Sequence, residues 1–372
     1  MSPEPVNSAS RNDLSDQGAA LPRPPVSPRG IVYLGSPPEA VAPLRALVEA
    51  GHRVDLVVSA PDRRRRRRGE PTPTPVKAAA LELGLKVTDD LADVESAVDE
   101  GADLGVVVAF GQLLRLPLLT RLAMVNLHFS LLPRWRGAAP VERALLAGDD
   151  RTGVAVMGVE EGLDTGPIYA EVSVPIGPEA TAGELRSDLS EHGAALLVAA
   201  LADGLTDPQP QVGESTYASK ISGDDLLLRF GDVSAEQLGR QVRVGGAWTT
   251  IRGERLKVWE AEEVLATPPP GELHGDVVGT ASGGLRLVEV QLAGRARQEA
   301  KAFLRGYRPE HGEVTSAIVR PRVPPRPAWR PAGWRSTCWH VSTTTAPGPT
   351  WWCPGRWTGA ILVMPIAGWS PS

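Results

Sequence analysis

The chain has 372 residues, 42% of them apolar and 22% charged, which suits a soluble protein of about two domains with a sizeable core. A formal net charge of −5 excludes a protein that coats nucleic acid by bulk charge, while leaving room for a local basic patch. The only cysteines, Cys338 and Cys353, fall near the C-terminus, which excludes a disulfide framework and, in the body, cysteine catalysis or a thiolate zinc site. No apolar run reaches membrane-spanning length and the polar N-terminus lacks the apolar core of a secretory signal, so a cytoplasmic location is expected.

Residues 1–29 carry Ser, Pro and charges without periodicity and are expected to be a disordered extension. At Gly30 the texture changes. Ile31 to Gly35 reads as a buried strand, and Val41, Leu44, Leu47 and Val48 then recur at helical spacing until Gly51. Val54 to Val58 is a second strand, Pro75 to Leu85 a helix, and Leu104 to Ala109 and Ala123 to His128 two further strands. Strands alternating with helices point to a Rossmann-like parallel α/β sheet over residues 30–202. Pro140 to Ala147 reads as a short helix closed by Gly148, and Gly153 to Val159 and Ile168 to Ile176 as strands. Thr181-Ala182-Gly183-Glu184 is a capping box that opens another helix.

A polar stretch, residues 203–220, reads as a linker. Residues 221–310 then show short alternating strands between Gly and Pro, among them Trp248 to Ile251, Leu256 to Trp259, Asp276 to Gly279 and Gly284 to Val290. They predict a small antiparallel barrel of OB type. Residues 311–372 form an atypical tail. Beyond Glu313 it holds no acidic residue but seven of the ten tryptophans, amid many prolines. Only five of the 39 basic residues are Lys, as in a GC-rich genome. The tail therefore reads as disordered and as the translation of a shifted frame; the alternative is an aromatic, basic arm that stacks on single-stranded RNA.

The residues with chemical potential lie between Asn126 and Asp164. Asn126 and His128 fall two apart on a strand, so they share one face. They lead into Ser130-Leu131-Leu132-Pro133-Arg134-Trp135-Arg136-Gly137-Ala138-Ala139-Pro140, and Gly162-Leu163-Asp164-Thr165-Gly166-Pro167 follows later. This combination closely resembles the folate-dependent formyltransferase family. The resemblance continues through Gly35-Ser36-Pro37, Ala60-Pro61-Asp62, Thr74-Pro75-Val76-Lys77, Tyr217-Ala218-Ser219-Lys220-Ile221 and Gly246-Ala247-Trp248-Thr249, and from Leu285 to Gly306. It spans residues 30–308 and departs from the family pattern at Val242 to Gly246, which looks shortened.

The resemblance implies transfer of a formyl group from 10-formyltetrahydrofolate to the α-amino group of methionine on initiator tRNA, without a metal, by a monomer. Asn126, His128 and Asp164 would be catalytic. A tetrahedral adduct with an oxyanion calls for a preorganised amide donor, which Asn126 supplies. His128 supplies a second donor or an acid and base, and Asp164 orients it and helps to take the amine proton. Ser130, Leu131, Leu132 and Pro133 would border the folate. The run Arg63, Arg64, Arg65, Arg66, Arg67 and Arg68 would hold phosphates of the tRNA.

Each assignment has a plainer reading. A lone His after a strand is more often structural, Asp164 could close an Asx turn, Ser130 to Pro133 could be only a turn, and the arginine run could be a solvated loop. The register of the three motifs favours the catalytic reading. A sugar-amine formyltransferase remains the alternative within the class; a glycinamide-ribonucleotide enzyme would resemble the first domain alone. A pure RNA-binding module would leave the trio unexplained. Gly35 lacks the rest of a G-x-G-x-x-G fingerprint, so no dinucleotide site is expected.

Overall fold

The computed structural model describes residues 21–64, 70–265, 268–308 and 313–314, with backbone alone at 63–64 and 313–314. Residues 1–20, Arg65 to Arg68 of the arginine run, and the tail beyond 314 lie outside the described residues.

Strand β1 (Ile31–Gly35) is buried at every position, because a central strand covered on both faces has no polar side. A tight turn leads into α1 (Val41–Glu49), whose Leu44 and Leu47 are fully buried. After β2 (Val54–Val58), the arginine-rich loop begins and ends in a small hairpin of β3 (Arg63–Arg64) and β4 (Pro71–Thr72). Thr74 accepts the Lys77 N–H to cap α2 (Pro75–Glu82), with Pro75 in the first turn. Then follow β5 (Val87–Thr88), α3 (Asp93–Asp99), β6 (Leu104–Val108), α4 (Leu116–Leu119), β7 (Met124–His128) and the two-residue β8 (Arg136–Gly137). Helix α5 (Pro140–Ala147) stops at Gly148, which takes the left-handed conformation. Strands β9 (Arg151–Gly158) and β10 (Ile168–Pro175) precede α6 (Ala182–Ala202), opened by the complete Thr181–Glu184 capping box. Strand β11 (Tyr217–Ala218) closes this half.

The first sheet has the order β10-β9-β7-β6-β1-β2-β5. The five strands from β7 to β5 are parallel, joined by helical crossovers, as the alternating pattern required. Strands β9 and β10 run antiparallel on its edge. The sequence signalled their existence but not their direction; the loop 159–167 between them is too short for a crossover, so they form a hairpin. Helices α1, α2, α5 and α6 cover one face, and α3 and α4 the other.

The second sheet consists of β12 (Trp248–Ile251), β13 (Glu254–Val264), β14 (Glu272–His274), β15 (Val277–Gly279), β16 (Gly284–Leu292), β17 (Gln298–Glu299) and β18 (Glu313–Val314). Every pairing within it is antiparallel, in the order β12-β13-β16-β15-β14-β18 with β17 on β16. Its inner face, with Leu256, Val258, Leu287 and Val290, packs on Leu238 and Val242 of α7 (Ala235–Val244) and on Phe303 and Leu304 of α8 (Ala300–Tyr307). Neither helix was anticipated. The signal for α7 was available in Ser234 and Gln237, which form a second capping box. Two described pieces fall inside segments expected to be irregular: Arg29 is hydrogen-bonded and ion-paired to Asp103, and β18 lies within the stretch assigned to the tail.

Candidate active site

Strand β7 turns Leu127 into the core beneath α6 and leaves Asn126 and His128 on the opposite face. Asp164 comes from the loop 159–167, where its backbone is left-handed at φ +51°. Its Oδ1 accepts the Asn126 Nδ2–H at 3.5 Å, and its Oδ2 lies 3.7 Å from His128 Nδ1. Oδ2 also accepts the Gly137 N–H at 2.8 Å. The three sequence-predicted residues thus converge. The pair is largely shielded, with side-chain exposures of 6% for His128 and 15% for Asp164.

The other imidazole nitrogen fixes the ring. His128 Nε2 stands 2.9 Å from the Trp135 carbonyl oxygen. A carbonyl only accepts, so Nε2 carries its hydrogen in both charge states. Nδ1 is therefore the atom that gains or loses a proton, and it faces Asp164. At 3.7 Å that contact is an ion-pair distance rather than a hydrogen bond.

The turn after β7 is built to place that carbonyl. Ser130, fully buried, donates its hydroxyl to the Arg134 carbonyl at 2.6 Å, and the Arg134 N–H returns to the Leu131 carbonyl at 3.1 Å. Leu132 is buried against Ala155 and Met157, and Pro133 follows it through a cis peptide bond. Asp149 takes a two-pronged bond from Arg134, at 2.9 and 2.6 Å, and a third from the Trp135 indole at 2.8 Å. The bond to Asp149 raises the Arg134 pKa further above its ordinary value. Gly137 sits at φ +120°, and a Cβ there would stand 2.8 Å from the Ala218 carbonyl, so only glycine brings this N–H to Asp164.

The segment expected to be a mere linker carries much of the site. Gln211 donates to the carbonyls of Asp164 and Gly166, both at 2.8 Å, and accepts from Arg136. Thr216 accepts the Trp135 N–H through its hydroxyl at 2.9 Å, and β11 pairs in parallel with β8. Farther on, Arg143 forms an ion pair of 2.8 Å with Asp225 and holds the Asp225 carboxyl down at about 2, with help from Ser222. The Tyr217 to Ile221 motif marked the strand end of this segment, but the contacts of Gln211, Thr216 and Asp225 had no sequence signal, because they join backbone groups or isolated polar residues.

Of the remaining candidates, Ser130 to Pro133 form the turn just described, and Arg63 and Arg64 stand in the β3–β4 hairpin. No group of metal-ligating side chains was found among the described residues.

An α/β sheet that brings Asn and His of β7 to an Asp of the β9–β10 loop, followed by a curled antiparallel sheet, defines a class. Residues 30–201 match the family model for formyl transferase, and residues 220–308 that for the formyl transferase C-terminal domain. The chain belongs to the formyl transferase family. It is 42% identical over 293 residues to the methionyl-tRNA formyltransferase of Ruegeria pomeroyi, covering 74% of this chain and 97% of that relative. The methionyl-tRNA formyltransferase of Symbiobacterium thermophilum is 40% identical over 323 residues, covering 80% of this chain and 98% of its own. Among solved structures, the fold is similar to WlaRD, a sugar 3N-formyl transferase crystallised with dTDP and 5-N-formyl-THF. The TM-score is 0.53 at 16% identity, over 72% of this chain and 98% of that one.

Proposed function

We propose that this chain transfers the formyl group of 10-formyltetrahydrofolate to the α-amino group of methionine on initiator tRNA. The observation that carries the reading is the convergence of Asn126, His128 and Asp164 in a chain that spans nearly the whole length of methionyl-tRNA formyltransferases. In this reaction the amine forms a bond to the formyl carbon, the bond from that carbon to N10 of the folate breaks, and one proton passes from the amine to N10. Asn126 donates its free amide N–H to the oxyanion of the tetrahedral adduct. Asp164 faces His128 Nδ1, where it orients the ring, and the pair relays the proton. The Trp135 carbonyl keeps the ring from turning away.

Ser130 to Pro133 border the folate, together with exposed Leu113 in the loop after β6 and exposed Leu116 at the start of α4. Residues 30–202 carry the chemistry. Residues 221–310, with Arg63 to Arg68, serve tRNA binding by a cytoplasmic monomer. The sugar-amine alternative rests on the fold alone, since WlaRD is only 16% identical. Release of tetrahydrofolate with charged initiator tRNA, with a nucleotide-linked amino sugar or with neither decides between them. Turnover with the sugar and none with the tRNA would overturn the proposal.

A further inference from the structure

A primary amide has two N–H donors and one carbonyl with two lone pairs. Gln211 uses all four. Its Oε1 accepts from Arg136 Nε at 3.0 Å and Nη2 at 2.6 Å, while its Nε2 donates to the Asp164 and Gly166 carbonyls at 2.8 Å each. Arg136 and Gly137 are the two residues of β8, and the Gly137 N–H holds the Asp164 carboxylate. The contacts therefore close a ring. The carboxylate end of Asp164 is tied to β8 through Gly137, and its backbone end is tied to the same strand through Gln211 and Arg136.

Asp164 depends on that ring because nothing else regular holds it. Its loop lies outside the sheet ladders, and its left-handed backbone is one an L-residue rarely keeps unaided. Strand β8 is itself placed by the linker: the Arg136 N–H donates to the Thr216 carbonyl at 2.9 Å, five residues past Gln211. A glutamine in a segment between two domains thus holds the backbone of the residue that faces His128 Nδ1.

We propose that Gln211 is a positioning residue for Asp164, so that the segment leading to the second domain tunes proton transfer at His128. This inference rests on the formyl-transfer reading above. The most selective variant is Gln211→Glu. It keeps an acceptor for Arg136 but replaces the amide donor with an oxygen that faces two carbonyls. Its kcat should fall by roughly 10–100-fold with KM for donor and tRNA within about threefold in a protein that still unfolds cooperatively, since an interaction felt mainly in the transition state is lost. In an Asp164→Ala background the same substitution should cost less than about twofold, because residues acting as one unit are not additive. Gln211→Met, of similar volume and without the amide, should behave in the same way and covers the case in which the glutamate variant folds poorly.

Multiplicative losses in the Asp164→Ala background, wild-type turnover in both Gln211 variants, or failure of both to fold would each overturn the proposal. Asp164→Ala alone separates the two readings. Wild-type turnover there removes the catalytic assignment and this inference with it, whereas an impaired Asp164→Ala with additive Gln211 effects removes only the inference.

Discussion

The two halves of the candidate cluster are held in different ways. Asn126 and His128 stand on a strand whose backbone is fixed by β6 on one side and β9 on the other. Asp164 stands on a loop outside any ladder and is fixed by the Gly137 N–H and the amide of Gln211. Strand-borne residues inherit their backbone geometry from the core, and the His128 ring needs only the Trp135 carbonyl besides. A loop-borne residue borrows its geometry from side chains elsewhere in the chain. Substitutions remote in sequence should therefore disturb Asp164 while leaving Asn126 and His128 where they are.

The sharpest test of that contrast lies within the cluster. His128→Ala and Asp164→Ala are each expected to lower turnover by about 10²–10⁴-fold, the usual range for a positioned acid or base. The double variant should lose little more than the worse single one, since Nδ1 and the carboxylate act as a pair. Strictly multiplicative losses measured in single turnover would show that the two work separately. Asn126→Ala should cost about 10²–10³-fold, the effect of removing one oxyanion donor, with folding unchanged. Normal turnover in that variant would take Asn126 out of the mechanism.

How much of this was legible in the sequence follows the same division. Strands β1, β2, β6 and β7 announced themselves as short apolar runs, and period two placed Asn126 and His128 on one face, whereas the two-residue β3, β4 and β5 carry no such run. Asp164 was legible only through its Gly-flanked motif. The Trp135 carbonyl that fixes the imidazole was not, because any residue supplies a carbonyl and only the turn decides where it points. Gln211 was hidden for a related reason: a single polar residue in a polar stretch has no period. Helix α7 was missed because Arg240, Gln241 and Arg243 dilute its apolar positions, although its Ser234 cap was readable.

The ion pair just past the linker predicts a smaller effect. Arg143 holds the Asp225 carboxyl near 2, below its usual 3.8. A depressed carboxylate stabilises the fold above the unfolded value and loses that contribution as the pH falls towards the folded one. With its side chain 25% exposed, Asp225 should contribute about 1–2 kcal/mol at neutral pH. Asp225→Asn should lower the melting temperature at pH 7, and the gap from wild type should close between roughly pH 4 and pH 2. A gap that stays constant across that range would show that the pair with Arg143 is not its origin.

The smallest effect is expected at the C-terminus. The tail, with seven of the ten tryptophans and no acidic residue after Glu313, has no period that would bury one face of a helix or strand. Most of it lies outside the described residues, but β18 at Glu313–Val314 pairs with β14, so a cut at residue 310 would remove a strand of the second sheet. Truncation after Ile318 spares that pairing. The shortened chain should keep its melting temperature, its affinity for tRNA and its turnover, and should aggregate less, because clustered tryptophans in a polar solvent favour association. Loss of tRNA affinity alone, with turnover at saturating tRNA preserved, would instead make the tail an arm that stacks on RNA and would sink the idea of a translated shifted frame.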